Sequence, residues 1–308
     1  MRQDPFGNQG QGVPRRRGFG FNPRLLILVL FAGYAAYYWF SNRSTDPLTG
    51  EKVVIDRSIT PEDEKALGLQ AFEEILQQEQ PVDPNSQIAR QIREIAQRLI
   101  AKVPEVTDSI AAEHGQEPTG IEKSFDWDVA VLNSEQANAF CLPGGKMAVY
   151  TGLVPIAQNA DAMAVVMGHE ISHALLRHGA QRMTRGKLEQ LGQMAGMAGG
   201  VDPGAMQAVM AAYGYGSALP YARSQETQAD EVGLMLAAAA CYNPQEAIPL
   251  WERMSQMSGG QNPPEFASTH PNAGTRIQHL QSLMPRAMEY RAKFCGASAG
   301  ASGSTGAP

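Results

Sequence analysis

Residues 169–173 read His-Glu-Ile-Ser-His. In a helix, side chains four apart lie on one face a turn from each other, so His169 and His173 present two imidazoles to one point. Two nitrogens so placed suit a tetrahedral Zn²⁺. Glu170 follows the first histidine, where its carboxylate can take the proton of a metal-bound water. An ordinary helix with two polar turns would give the same pentad, but with 6 histidines in the chain the coincidence is uncommon. The chemistry these residues suit is metal-assisted hydrolysis.

Two histidines do not complete such a site. A catalytic zinc takes a third protein ligand and leaves its fourth position for water. A longer motif with Gly at position 176 and His at position 179 would supply the third ligand locally. Leu176 and Gly179 stand there, which excludes that class. His178, five residues past His173, falls off the shared face of a continuous helix and reads as pointing elsewhere. A better source lies downstream, where Glu226 and Asp230 are four apart on one helical face. One can bind the metal while the other accepts a hydrogen bond from the free nitrogen of a ligand histidine. An isolated acidic pair would be an ordinary solvated face.

The elements that must position these groups can be read from patterning. At 308 residues the chain can bury a full core, and its net charge of −6 argues against a nucleic-acid surface. Residues 1–23 form a basic tail with Arg15, Arg16 and Arg17, and Arg24 precedes an uncharged run from Leu25 to Phe40 that ends Tyr37-Tyr38-Trp39-Phe40. Residues 24–40 read as a transmembrane anchor, short for a span but closed by interfacial aromatics, with the arginines cytoplasmic and everything after Phe40 on the other side. A cleaved signal peptide is the rival; no clear A-x-A site follows the run. No cysteine follows it either, which argues against a lipid anchor. Residues 41–58 read as a linker. Thr60-Pro61 and Asp83-Pro84 are helix starts, the second feeding a stripe of Ile88, Ile92, Ile95 and Leu99 to about Ala101. Residues 125–132 alternate as a strand, and Lys146–Thr151 reads as a second after Pro143-Gly144-Gly145. Asn159 or Asp161 caps the pentad helix, taken to about His178. Residues 186–220 read as loose helices and loops, 223–240 and 275–291 as helices, and 296–308 as a disordered tail.

At this point the chain resembles a known family. His169-Glu170-Ile171-Ser172-His173 followed by Arg223-x-x-Glu226-x-x-Ala229-Asp230-x-x-Gly233 is similar to the signature of the zinc gluzincin endopeptidases that include HtpX, the CAAX prenyl endoprotease and the mitochondrial OMA-type protease. Asn138 to Gly145 resembles the family's N-A-F-A-L-P-G-G turn, with Cys141 in place of the usual Ala. Ser268-Thr269-His270-Pro271 with Arg276-Ile277 resembles its S-T-H-P-x-x-x-x-R-I block, and Glu64 to Gln70 its E-x-x-L-G-x-Q helix. Ala222 stands where Ser often precedes the Arg. One membrane segment together with the S-T-H-P block favours the OMA-like and periplasmic members.

The resemblance, with the residue chemistry, implies an α+β fold: a mainly helical zincin-like metallopeptidase domain over 59–295, with a small antiparallel sheet, after one N-terminal transmembrane helix. It implies one Zn²⁺ per chain on His169, His173 and Glu226, Glu170 as base and Asp230 orienting a ligand histidine. His270 is expected to stabilise the oxyanion and Arg276 to line the site. The strand Lys146, Met147, Ala148, Val149 and Tyr150 is expected to be an exposed edge that an extended, unfolded polypeptide joins. Tyr213, Tyr215 and Tyr221 are weaker oxyanion candidates, and Gly192-x-x-x-Gly196-x-x-x-Gly200 a mobile wall or lid. The implied protein is a single-pass inner-membrane endopeptidase facing the periplasm that removes unfolded envelope proteins, an oligomer being possible. The alternative is a tethered assembly-assisting binding module with little proteolysis. Export would put Cys241, which follows the Glu226 helix, and Cys295, which ends the last helix, in an oxidising compartment where they should bridge and leave Cys141 free.

Overall fold

The computed structural model describes residues 22–258, 265–270 and 273–296. The expected basic tail up to residue 21, the expected disordered tail from residue 297, and Pro271 lie outside these. The first helix, α1 (Pro23–Ser41), is capped by the Asn22 side chain, which accepts the Arg24 N–H. It is long and apolar enough to cross a membrane, and it leaves Leu25, Val29, Leu30, Tyr37 and Phe40 exposed. Tyr38 is its buried residue, and its hydroxyl donates to Asp56 at 2.6 Å.

Residues 41–58, expected as a linker, fold onto the domain instead. Strands β1 (Arg43–Thr45) and β2 (Lys52–Val54) form an antiparallel hairpin. The Asp46 carboxylate closes its turn by accepting the N–H groups of Leu48 and Thr49, each at 2.9 Å, and Gly50 takes the positive φ of +68° that the turn needs. Below the hairpin, Asp56 pairs with Lys187 at 2.6 Å, and its N–H donates to the Thr184 hydroxyl at 2.9 Å. These polar partners lie far along the chain, so local composition gave no sign of them.

Helix α2 (Pro61–Gln78) begins with a Thr60/Asp63 capping box. Helix α3 (Gln87–Glu113) starts one turn after Pro84 and runs past the expected end at Ala101, through Pro104. An interior proline costs about 3 kcal/mol. Val103, Val106 and Ile110, all buried, continue the stripe beyond it, and burial of each is worth about 1.5–3 kcal/mol. Packing outweighs the break.

Strands β3 (Asp128–Leu132), β4 (Ala139–Leu142) and β5 (Lys146–Tyr150) form a sheet in the order β3-β5-β4. β3 runs parallel to β5 and β4 antiparallel to it, so the sheet is mixed rather than antiparallel. This corrects the expected substrate edge. Lys146, Met147, Ala148, Val149 and Tyr150 form the central strand, all five buried. The turn at Gly144 and Gly145, both at positive φ, folds β4 back along one side of β5 while β3 pairs along the other. Even the Lys146 stem is buried, its ammonium reaching Asp126 at 3.2 Å. The sheet's edge towards the active helix is β4.

The short α4 (Val154–Ala157) leads to α5 (Ala160–Leu175), which carries the pentad and is capped by Asn159, whose side chain accepts the Ala162 N–H at 2.8 Å. Arg177, at φ +52°, ends that helix, and α6 (His178–Ala198) leaves in a new direction. Then come α7 (Pro203–Tyr213), a π-helical stretch over Gly214–Ala218, α8 (Leu219–Ala239), α9 (Ala247–Ser258), α10 (Glu265–Thr269) and α11 (Ala273–Cys295). Residues 192–200 are not a lid over the cleft: a Cβ at Gly192 would lie 3.2 Å from Phe31 and one at Gly199 2.8 Å from Leu28, so α6 packs along α1.

The core is built on α5 and α8, which touch through glycines. A Cβ on Gly168 would come within 2.7 Å of the Gly233 carbonyl, and one on Gly233 within 2.6 Å of the His169 nitrogen. The Cys241–Cys295 disulfide, with Cα atoms 5.7 Å apart, ties the end of α8 to the end of α11. Cys141 is a free, buried thiol.

Candidate active site

Helix α5 is buried along the whole face that carries His169, Glu170 and His173. The glycine contact sets it close enough to α8 for Glu226 and Asp230 to meet those histidines. The His169 and His173 Nε2 atoms are 3.0 Å apart. Glu226 Oε2 is 3.4 Å from His169 Nε2, and its Oε1 is 3.5 Å from His173 Nε2. A tetrahedral zinc with bonds of about 2.0–2.1 Å has ligand–ligand edges of about 3.3 Å. The three spacings fit such an ion, and the donor set of two imidazoles and a carboxylate suits zinc.

Glu170 lies beside this cluster with Oε1 buried and without a hydrogen-bond partner; His270 Nε2 stands 3.5 Å from it, too far for a good bond. A buried acceptor left open towards a metal position is what a base for an attacking water requires. Burial pushes its carboxyl up to about 7, with the pull of His270 opposing and Glu226 adding, which puts it near the pKa suited to proton transfer at neutral pH.

The surrounding groups hold the cluster in place. Asp230 Oδ1 lies 3.0 Å from His169 Nδ1, the carboxylate–histidine arrangement that fixes a ligand ring. Burial works to raise the Asp230 carboxyl, but Arg276 and His169 outweigh it and hold it below the usual range. For Glu226 burial also acts upward, and hydrogen bonds from His169 and His270 hold it far below. Both carboxylates therefore stay ionised. Arg276 pairs with both, reaching Glu226 Oε2 at 3.0 Å and bonding Asp230, while its guanidinium stacks on Trp251 at 3.8 Å. It is a salt bridge holding α11 to α8, and its partners are the site's own acids.

His270 stands closer than the wall of the site. Its Nδ1 lies 2.7 Å from Glu226 Oε2, and its ligand atom, with those of His169, His173 and Glu226, falls within a mutual 4.8 Å. His178 was missed in the sequence. It is fully buried, its Nδ1 lies 2.7 Å from His173 Nδ1, and burial pushes it down to about 3, so the ring is neutral. The argument from spacing assumed one continuous helix; the Arg177 break returns His178 to the site. Tyr221 binds Gln181 and Tyr213 lies 5.7 Å from the Arg185 guanidinium, so both are engaged elsewhere; the Tyr215 side chain lies outside the described residues. A cleft of about 310 Å³ opens over the cluster, bordered by Phe140 and Cys141 of β4 and by Glu170, His173, Arg182 and His270. Burial first, and Glu170 next, raise the Cys141 thiol, which keeps it protonated.

Residues 97–284 match the family described as Peptidase family M48. The chain belongs to this peptidase family. It is 30% identical over 294 residues to the mitochondrial metalloendopeptidase OMA1 of Saccharomyces cerevisiae, covering 88% of this chain and 78% of that one. It is 33% identical over 178 residues to the mitochondrial metalloendopeptidase OMA1 of Homo sapiens, covering 54% of this chain and 34% of that one. Against the beta-barrel assembly-enhancing protease of Yersinia pestis the identity is 27% over 170 residues, 49% of this chain and 33% of that one. This M48 member is a metalloprotease, and the matched span contains His169, Glu170, His173, Glu226, Asp230, His270 and Arg276.

Proposed function

We propose that the chain is a membrane-tethered zinc endopeptidase that cuts extended segments of unfolded or misassembled envelope proteins. The observation that carries this is the convergence of His169, His173 and Glu226 at zinc-like spacings beside the unpartnered oxygen of Glu170. One zinc per chain, when bound, polarises the scissile carbonyl and acidifies a water. Glu170 accepts the proton of the attacking water and passes it to the leaving nitrogen. Asp230 keeps the His169 ring turned to the ion, and Arg276 holds Glu226 and Asp230 in register. Among the described residues one edge of β4 carries no strand, and Phe140 and Cys141 border the cleft, so an extended substrate adds there as a further strand. A folded chain has no such strand to offer, which accounts for a preference for unfolded segments.

Tethering is supported by α1, with Arg24 at its start and exposed apolar residues around it. The Cys241–Cys295 bridge supports a catalytic domain on the non-cytoplasmic, periplasmic side of an inner membrane. One observation favours the alternative, a tethered assembly-assisting module with little proteolysis. The His270 nitrogen lies within the ligand set, and a zinc with four protein ligands is a closed, structural site. Casein cleavage by the full chain, abolished by a chelator and by Glu170→Gln, is the expected result. A zinc-loaded, folded chain that leaves casein intact establishes the alternative.

A further inference from the structure

Behind the second ligand histidine, hydrogen bonds lead out of the site in one direction. His173 turns Nε2 to the ligand cluster, and its Nδ1 lies 2.7 Å from His178 Nδ1. An imidazole that gives its Nε2 lone pair to a metal carries its proton on Nδ1, so His173 donates and His178 accepts. His178 then has its proton on Nε2, which lies 3.0 Å from Gln228 Oε1. That contact fixes the Gln228 amide with its NH₂ outward, and Nε2 donates to Glu51 Oε2 at 2.6 Å. With a metal on His173 Nε2, a donor meets an acceptor in each of the three contacts. His178 and Gln228 are buried, and Glu51 lies at the surface.

The path crosses three helices and the hairpin: α5, α6, α8, then the residue that precedes β2. Glu51 is held by the hairpin turn, its carbonyl accepting the Asp46 N–H at 2.8 Å. His169 has a carboxylate directly behind it in Asp230; among the described contacts, the Nδ1 side of His173 reaches one only through His178 and Gln228. We propose that Glu51 is the terminal carboxylate of a relay through Gln228 and His178 that orients His173 and raises its basicity, making Glu51 a positioning residue for the zinc site. The inference rests on the reading of His173 as a zinc ligand. Its consequence is that a segment next to the membrane helix sets the metal affinity of the catalytic helix.

The test uses the full chain in detergent and measures zinc affinity by competition with a chromogenic chelator and the visible spectrum of the Co²⁺-substituted protein. A group bonded directly to a metal ligand typically tunes metal affinity by about 10–100-fold. Glu51 and Gln228 act through His178, so Gln228→Leu is expected to weaken zinc by about tenfold and Glu51→Ala by about threefold, the lower figure for the more distant group. Both should shift the Co²⁺ bands. The double variant Glu51→Ala/Gln228→Glu moves the carboxylate one link inward and should return both readings to the wild-type values, which a merely structural role would not predict. The melting temperature of each zinc-free variant checks that it folds. Wild-type zinc affinity in Glu51→Ala, or a double variant no better than Glu51→Ala, overturns the relay. His173→Ala separates the two levels. If it binds zinc as wild type does, the ligand assignment fails and the relay with it. If it loses zinc while Glu51→Ala is unaffected, the relay alone fails.

Discussion

Glu170 and Glu226 are both carboxylates at one cleft, and the environment gives them opposite characters. Glu170 is fully buried with an unpartnered oxygen, and burial outweighs the pull of His270, Arg276 and Arg182 and raises it to about 7; Glu226 is bonded by His270 and Arg276 and stays ionised. One is built to carry a proton and the other to hold a cation. Glu170→Gln should therefore abolish cleavage while metal analysis still finds about one zinc per chain. Glu226→Ala should lose metal and activity together, and full zinc retention there would transfer the third-ligand role to Asp230. His270 is the residue where geometry and expectation press on each other. As an oxyanion donor its removal typically costs about 10²–10³-fold in turnover, with zinc content unchanged and a modest shift in KM. That is the expected outcome for His270→Ala. A rise in turnover would show instead that its imidazole takes the place a catalytic water needs.

At the scale of elements, the site depends on how closely α5 and α8 approach. The backbones meet at Gly168 and Gly233, where a Cβ on Gly233 would stand 2.6 Å from the His169 nitrogen. Gly233→Ala must push the helices apart, and overpacking of this kind costs about 1–3 kcal/mol. A lowered melting temperature and a loss of zinc affinity are expected together, because the displaced helix carries Glu226 and Asp230. An unchanged zinc titration in that variant would mean the contact is incidental. Much of this geometry was legible beforehand. The pentad, the Glu226/Asp230 pair and the Thr60 and Asn159 caps are short-range patterns, and each maps onto local structure. What escaped was long-range. Strand β5 was expected as a substrate edge on the resemblance, and alternation and turn residues could not correct this because they say nothing about which strands lie beside it. His178 read as surplus because helical spacing cannot show where a helix breaks, and the hairpin read as a linker because its partners, Thr184, Lys187 and Gln228, are more than a hundred residues away.

For the molecule as a whole, the relation of α1 to α6 decides how much of the chain a bilayer would contact. The Lys187 ammonium lies 5.5 Å from the Tyr38 ring centre, Gly192 faces Phe31, Gly199 faces Leu28 and Gly200 faces Arg24. α6 thus runs antiparallel along the length of α1. At about 1.5 Å per residue, Lys187 to Gly200 rises about 20 Å and Arg24 to Tyr38 about 21 Å. Between Leu191 and Ala222 the sequence holds a single charge, Asp202, and it caps α7 at the turn level with Arg24. Met197 is 69% exposed and Val209 60%. A bilayer around α1, whose hydrocarbon core is about 30 Å thick, would therefore also surround the second half of α6 and α7, and bury that exposed apolar surface at about 25 cal/mol per Å². With fluorophores on single cysteines introduced at Leu30, Met197 and Glu252, lipids brominated on their acyl chains should quench the first two and leave the third bright. Quenching at Leu30 alone would place α6 outside the bilayer with α1 still spanning it. If neither position is quenched, α1 is not an anchor and the tether itself is wrong.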